Sequence, residues 1–279
     1  MILCYHSISF SSFPFWVNSH SLDEVIRIIT DIGYKGIEIL ADRPHAFPAD
    51  LSPGDRRVLK RKLGQAGLKV TALCPQIGPN RNPASPFKLE LQDSRKYLSE
   101  CVELASELDC SVLIYPAGWS VAGMDPQESH HNSCETLAQL ANIGEKKGVQ
   151  IAVETVWKRA SNLVYRSSHA VDMIKKVGHP LAKIMLDTFH AWAEDEDIVQ
   201  VIEAYGTDLV HCHLEDMSSN RMERRALGQG TADIEQVLSV LKGKGYKGAV
   251  SLELWGADPK RMAIDSYHYL RTLPTQYFE

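Results

Sequence analysis

The chain has 279 residues, of which 44% are hydrophobic, and its formal net charge is −5. This size suits one large α/β domain better than two small ones. The acidic balance and the lack of a basic run argue against a nucleic-acid partner. No apolar run is long enough to cross a bilayer, and the N-terminal segment lacks the features of a signal peptide, so we expect a cytoplasmic protein. Six dispersed cysteines without a CxxC pattern predict buried free thiols.

Short apolar runs alternate with longer helical patterns along the chain. The first run, at 2–6, is strand-like, and the first helical pattern begins behind Ser21, a plausible N-cap. Further strands are expected at 37–40, 69–74, 112–115, 149–154, 184–187, 209–213 and 250–253. Helices are expected near 22–29, 53–65, 89–108, 128–147, 167–177, 195–205, 233–244 and 259–273.

The alternation of eight strands with eight helices predicts a single (β/α)8 TIM barrel over residues 1–279. The sequence Gly-Tyr-Lys-Gly occurs at 33–36 and again at 245–248, each time between a helix and a strand, which supports this register. A doubly wound sheet is the alternative. It is less favoured because no GxGxxG motif follows the first strand.

Four of the predicted strands end in a side chain that can bind a metal. These side chains are Glu154, Asp187, His213 and Glu253. Barrel closure would bring the four strand ends around one axis, where buried polar groups are costly unless a cation neutralises them. Three carboxylates and one imidazole favour Mn²⁺, Mg²⁺ or Co²⁺ over a thiolate-seeking ion. His211 faces the same side as His213 and is expected to lie deeper in the barrel.

Several short motifs at these strand ends resemble the sugar isomerase/epimerase superfamily of xylose-isomerase-like barrels. The motifs are AVE at 152–154, LDTFH at 186–190, HLED at 213–216, LGQG at 227–230 and SLE at 251–253. Their order and spacing are similar to ketose 3-epimerases of the tagatose/psicose type, and RPHAF at 43–47 resembles fructoselysine 3-epimerases.

This resemblance implies that the four strand-end ligands hold one Mn²⁺ or a similar ion. It also implies that His190 and Arg224 hold substrate oxygens. Homodimers and homotetramers are common among such barrels, and the sequence leaves this choice open. The chain departs from the ketose 3-epimerases at Ala160, where they usually carry a glutamate that contacts substrate. The loop before Gly228 also looks longer than theirs, and Arg225 is a rival to Arg224 within it.

The residue types predict proton transfer at a carbon beside a carbonyl, through a metal-bound enediolate. Glu154 and Glu253 would flank the reacting carbon, one removing a proton and the other returning one from the opposite face. Trp119, which follows the fourth strand, would offer an aromatic face to a small carbohydrate. Tyr5, at the end of the first strand, is a further candidate for substrate contact. Glu38 is expected to form a structural ion pair.

The same four candidate metal ligands are compatible with other functions. An inosose dehydratase or a hydroxypyruvate isomerase would keep the metal and bind different substrate oxygens. An endonuclease IV-like DNA repair enzyme would need extra histidines after the third and fourth strands, which instead end in Cys74-Pro75-Gln76 and Tyr115-Pro116-Ala117. A catalytically silent sugar-binding barrel is disfavoured by the intact set of four ligands.

Overall fold

A computed structural model describes residues 1–12, 18–274 and 276–278, and its centre is a closed barrel of eight parallel strands. The barrel strands are β1 (Ile2–His6), β2 (Gly36–Leu40), β3 (Lys69–Cys74), β4 (Val112–Pro116), β5 (Gln150–Glu154), β6 (Ala182–Asp187), β7 (Leu209–His213) and β10 (Ala249–Leu252). They follow one another around the ring in chain order, and β1 closes it by pairing with β10. The predicted (β/α)8 barrel is confirmed.

Nine α-helices lie within the described residues. They are α1 (Leu22–Ile32), α2 (Pro53–Gln65), α3 (Lys88–Glu107), α4 (Pro126–Lys147), α5 (Ser167–Val177), α6 (Thr188–Ala193), α7 (Ile198–Tyr205), α8 (Ile234–Gly243) and α9 (Pro259–Thr272). In α1, Ser21 and Glu24 form a reciprocal capping box, and Gly33 ends the helix in the left-handed region at φ 116°. Among these helices none is both long and apolar enough to cross a membrane.

A short α-helix and a short ribbon near the strand ends were not among the predicted elements. The six-residue helix α6 begins directly after β6, and a two-stranded antiparallel ribbon, β8 (Asp216–Met217) with β9 (Arg224–Arg225), follows β7. Both are too short to produce a readable hydrophobic period. Helix α7 starts at Ile198 rather than at 195, because Asp197 accepts hydrogen bonds from the first backbone N–H groups and acts as its N-cap.

The core has two parts, one outside and one inside the barrel. Large apolar side chains fill the space between the strands and the helices. A smaller cluster fills the interior and includes Ala72, Val112, Ile114, Ala152 and Met185. Interior positions alternate along each strand, so the next inward residue after Ala152 is the predicted ligand Glu154. All six cysteines are buried and free, as predicted.

Candidate metal centre and active site

The imidazole of His213 lies at the centre of the four predicted ligands. Its Nδ1 atom is 3.4 Å from Asp187 Oδ2, 3.5 Å from Glu253 Oε2 and 3.8 Å from Glu154 Oε1. The parallel pairing of the strands explains this convergence. Asp187 lies opposite His213 in the pairing of β6 with β7. Ser251, two residues before Glu253, lies opposite His213 in the pairing of β10 with β7.

Unpaired polar atoms at this centre fit a bound cation. His213 Nδ1 and Asp187 Oδ2 are buried and make no hydrogen bond to any described residue. Such atoms are costly when buried without a partner, and both are ordinary ligand atoms for a divalent metal. Asp187, His213 and Glu253 belong to one group whose ligand atoms lie within 4.8 Å of one another, together with Glu215.

The buried carboxylate of Glu38 contacts the second ring nitrogen of His213, Nε2. The carboxylate oxygens of Glu38 lie 3.0 Å from His213 Nε2, 2.8 Å from His211 Nε2 and 3.5 Å from His6 Nε2. All four side chains are fully buried. A carboxylate on one ring nitrogen directs the other nitrogen toward the metal, so Glu38 orients Nδ1 of His213. His211 shares this carboxylate with His213.

The environments of the two glutamates push their pKa values in opposite directions. Burial, together with the negative charges of Asp187 and Glu253, raises the pKa of Glu154 to about 8 despite the opposing effect of His213. Burial also acts to raise the pKa of Glu253, but Arg224 and His213 outweigh it and the net shift is downward. A bound cation would favour the ionised form of Glu154.

Asp187 is held ionised by neighbouring histidine and arginine side chains. Burial disfavours its charged form, but His190, His213 and Arg224 together lower its pKa below the usual range. Its Oδ1 atom accepts the backbone N–H of His190 at 2.7 Å and so caps α6. One side chain therefore contributes both to the candidate metal centre and to the start of the next helix.

His190 projects from α6 into the cavity above the centre. Its ring lies near Trp157 and Phe189, and Nδ1 is buried with no hydrogen bond to the described residues. Burial lowers the pKa of His190 to about 4, despite the nearby charge of Asp187. A neutral imidazole with a free nitrogen suits a hydrogen bond to a substrate oxygen.

The β8–β9 ribbon separates the two rival arginines. Arg224 is buried, with Nη2 3.1 Å from Glu253 Oε2, and its guanidinium stacks over the rings of Phe189 and Trp255 at 4.3 and 4.2 Å. Arg225 is exposed and pairs with Glu223. Because adjacent residues of a strand point to opposite faces, only one of the two reaches the centre, and it is Arg224.

A cavity of about 840 Å³ opens at the carboxyl ends of the strands. Trp119, Ala160, His190 and Arg224 line it, together with Glu154 and Glu253. Asp187 and His213 lie beneath it, with no exposed surface. Only the two glutamates of the quartet are therefore available to contact a bound substrate.

Tyr5 lies outside the site. Its ring packs against Phe10 and Tyr34, and its hydroxyl donates to the carbonyl of Pro259. The side chain is fully buried between the barrel and the outer helices. Since adjacent residues of a strand face opposite sides, Tyr5 points outward when His6 points inward, and the prediction of substrate contact by Tyr5 overlooked this alternation.

Two acidic residues at the site were missed in the sequence. Glu215 Oε2 accepts hydrogen bonds from Thr188 Oγ1 and from the backbone N–H of Phe189, and its Oε1 is 3.5 Å from Arg224 Nε. Asp216 accepts backbone N–H groups from 217, 228, 230 and 232. The HLED motif contains both residues. They follow the end of β7, where the alternation of inward and outward residues no longer predicts which way a side chain points.

Known proteins share the sequence pattern and the fold of this chain. Residues 26–273 match the family described as xylose isomerase-like TIM barrel. A fructoselysine 3-epimerase from Shigella flexneri is 24% identical over 241 residues, covering 84% of this chain and 85% of that protein. The crystal structure of D-psicose 3-epimerase from Clostridium cellulolyticum H10 has a TM-score of 0.81 at 19% identity, covering 97% of each chain. A 3-keto-D-glucoside 4-epimerase from E. coli has a TM-score of 0.82 at 19% identity, covering 98% of this chain and 100% of that one.

Proposed function

The chain belongs to the xylose isomerase-like TIM barrel family, and we propose that it is a metal-dependent sugar isomerase or epimerase. It acts on a ketose or a ketose derivative by moving a proton at a carbon beside the carbonyl group, through an enediolate. The names of its relatives, which include fructoselysine and D-psicose 3-epimerases, support a ketose 3-epimerase-like reaction.

The observation that carries the proposal is the different exposure of the four central side chains. Glu154 and Glu253 line the cavity, whereas Asp187 and His213 are fully buried under it. Glu154 comes from β5 and Glu253 follows β10, which are separated in the barrel by β6 and β7. Two carboxyl groups from separate strands thus approach one bound molecule, as a two-base proton transfer requires.

Each residue has a defined role in this proposal. Glu154 or Glu253 removes the proton from the reacting carbon, and the other returns a proton to the opposite face. His190 and Arg224 donate hydrogen bonds to the substrate oxygens, where negative charge develops. Glu154, Asp187, His213 and Glu253 would hold one divalent ion, for which oxygen-rich ligands favour Mn²⁺, Mg²⁺ or Co²⁺. This ion supplies Lewis-acid stabilisation of the developing charge.

The test is incubation with a panel of ketoses, fructosamines and inososes in deuterated water with Mn²⁺, followed by NMR at each carbon. Epimerisation predicts solvent deuterium at the inverted centre. Glu154→Gln and Glu253→Gln should each lower kcat by about 10²–10⁴, while Glu145→Gln, an exposed position on α4, serves as the matched control.

Three results would contradict the proposal. Loss of water from an inosose without epimerisation would identify a dehydratase. Nicking of abasic DNA by the wild-type protein, abolished by Glu154→Gln, would identify a DNA repair enzyme. Neither exchange nor elimination with any sugar, together with unchanged sugar binding by both glutamine variants, would exclude enzymatic turnover of sugars.

A further inference from the structure

Trp119 lines the cavity from the loop that follows β4, and a buried side chain binds its backbone. Asn82, in the loop that follows β3, is fully buried. The Trp119 N–H donates to Asn82 Oδ1 at 3.2 Å, and Asn82 Nδ2 donates to the Trp119 carbonyl at 2.9 Å. One planar amide therefore binds both peptide groups that flank the Trp119 Cα atom. These two bonds fix the direction in which the indole side chain leaves the backbone.

The amide of Asn82 is itself held in a single orientation. Its Oδ1 atom also accepts the backbone N–H of Ala84 at 3.0 Å, so the oxygen and nitrogen ends of the amide are not interchangeable. Gly118 lies against the same oxygen, and a side chain at this position would collide with it. Gly118 also has φ 82°, in the left-handed region. The close approach of the two loops thus depends on a glycine next to the tryptophan.

The loop after β5 holds the other side of the same segment. Ser161 Oγ donates to the Gly118 carbonyl at 2.7 Å. Asn162 accepts the N–H of Ser120 at 2.8 Å and donates to the Ser120 carbonyl at 3.0 Å. Asn162 is exposed, so water can replace its bonds, whereas Asn82 has no exposed surface. The bonds of Asn82 are therefore the ones that solvent replaces least readily.

The residue before Asn82 anchors this loop to the neighbouring loop after β2. Arg81 Nη2 lies 2.8 Å from Asp42 Oδ2, and the guanidinium lies over the ring of Tyr97 at 4.7 Å. The Tyr97 hydroxyl in turn donates to the carbonyl of Ala41 at 2.8 Å. Asn82 is thus carried by a loop that is itself fixed to the barrel, as a side chain that positions another residue must be.

We propose that Asn82 is a positioning residue, which holds the Trp119 indole as a fixed wall against the bound sugar. This inference rests on the proposed function, which supplies the sugar. A ring that is held in place before the ligand arrives loses little freedom on binding, and this favours affinity. The ring packs against parts of the sugar that do not react, so it acts equally in the ground state and the transition state. Its displacement should therefore raise KM more than it lowers kcat.

The test uses Asn82→Asp, which keeps the shape and one acceptor but turns an oxygen toward the Trp119 carbonyl in place of the donating NH₂ group. Calorimetry with D-fructose and the Mn²⁺-loaded protein should show a dissociation constant about tenfold higher than that of the wild type. Acrylamide should quench the tryptophan fluorescence of the variant more strongly, because the indole is less firmly held. Asn142→Asp, at an exposed position on α4, is the matched control and should change neither quantity.

A double-mutant cycle with Trp119→Ala separates positioning from a general loss of structure. If Asn82 acts through Trp119, Asn82→Asp should change the dissociation constant by less than about twofold in the Trp119→Ala background. The increase in quenching should also disappear there. With any sugar that is turned over, Asn82→Asp should raise KM about tenfold and change kcat by less than about threefold. A merely structural role would lower the melting temperature and the active fraction and leave KM unchanged.

The possible results distinguish this inference from the proposed function. An unchanged dissociation constant in folded Asn82→Asp protein, or equal increases in both backgrounds, would overturn the positioning role and leave the isomerase intact. Coupled increases without proton exchange on any sugar would support the positioning role and overturn the isomerase. Wild-type protein that neither binds D-fructose nor exchanges protons on any sugar would overturn both. If Asn82→Asp does not fold, Asn82→Ala replaces it in the same cycle with the same expected results.

Discussion

Glu38 is the side chain on which the geometry of the centre depends most. It is fully buried, and its carboxylate accepts from His211 and His213 at once. Burial alone would raise the pKa of Glu38, but the surrounding histidines outweigh it and hold the pKa well below its usual range. The carboxylate therefore stays ionised and fixes the ring of His213, although it does not itself approach the metal position.

The variant Glu38→Gln should weaken metal binding without removing a metal ligand. The amide removes the negative charge that both histidines share, and it replaces one carboxylate oxygen, each of which lies 3.0 Å from His213 Nε2, by an NH₂ group that cannot accept. We expect a loss of about 10–100-fold in Mn²⁺ affinity, measured by calorimetry on chelator-treated protein. Circular dichroism of the metal-free variant provides the control for folding. An unchanged dissociation constant in a folded variant would show that Glu38 does not position His213.

His45 provides a pH-sensitive contribution to stability outside the cavity. Its Nε2–H donates to the carbonyl of His20, and Nδ1 accepts from the Ser7 hydroxyl. Burial lowers the pKa of His45 to about 4, and the charges of His6 and His20 act in the same direction. Between this value and its ordinary pKa of about 6.5, the unfolded chain takes up a proton that the folded protein excludes.

Stability should therefore fall as the pH decreases from about 6.5 toward 4. Between pH 7 and pH 5 this single group accounts for about 2 kcal/mol of the free energy of unfolding. His45→Gln removes the titration, so its urea-unfolding free energy should vary less over this pH range than that of the wild type. Parallel pH dependences of the two proteins would contradict the assignment.

At the scale of elements, the β8–β9 ribbon determines which arginine contacts the buried carboxylates. Met217 pairs with Arg224 across the ribbon, and the preceding Asp216 ties the ribbon to the segment 228–232 through backbone N–H groups. Gly230 lies so close to Asp216 that any side chain there would collide with it. The loop that carries Arg224 is thus anchored to the segment 228–232 through one carboxylate.

Asp216→Asn should loosen this loop and reduce activity. Each carboxylate oxygen accepts two N–H groups, and an amide NH₂ in place of one oxygen would leave two of them unpaired. We expect a destabilisation of roughly 1–3 kcal/mol and a fall in kcat/KM of about tenfold as Arg224 shifts. Asp233→Asn is the control, because asparagine is an equally good N-cap for α8. Equal effects of both substitutions would argue against the anchoring role.

At the scale of the whole molecule, barrel closure concentrates charge at one end of the strands. Asp187, Glu215 and Glu253 lie around His213 within one buried group, and Glu154 adjoins it. Within the described part of the chain, Arg224 alone brings a permanent positive charge into contact with Asp187, Glu215 and Glu253. A divalent cation bound there would stabilise such a cluster, and the stability of the entire fold would then depend on metal.

Removal of the metal should lower the melting temperature. A metal present at about 100 times its Kd adds roughly 2.7 kcal/mol, which corresponds to about 5–10 °C for a chain of this size. We expect calorimetry to show this decrease on chelation, and elemental analysis to show one ion per chain. Asp187→Asn should bind metal weakly and lose most of the chelator effect. Three ions per chain, or an ion retained when the four ligands are replaced, would contradict the single site.

The sequence by itself determined the barrel and the positions of the four candidate ligands. Both depend on local regularities: helices and strands alternate with clear periods, and inward residues recur at every second position of a strand. The ends of parallel strands meet at one edge, so Glu154, Asp187 and His213 were predicted to converge without knowledge of any long-range contact.

Only the tertiary structure decided the features that depend on contacts between distant segments. Arg224 rather than Arg225 contacts Asp187 and Glu253 because the antiparallel ribbon orients it, and Glu215 joins the group through contacts with Thr188 and Phe189. The extension of the cavity to Arg261 arises from the position of α9 beside the β10 loop. Loops lack a fixed period, and their direction is set by packing against elements far away in the chain, so no local pattern could predict these placements.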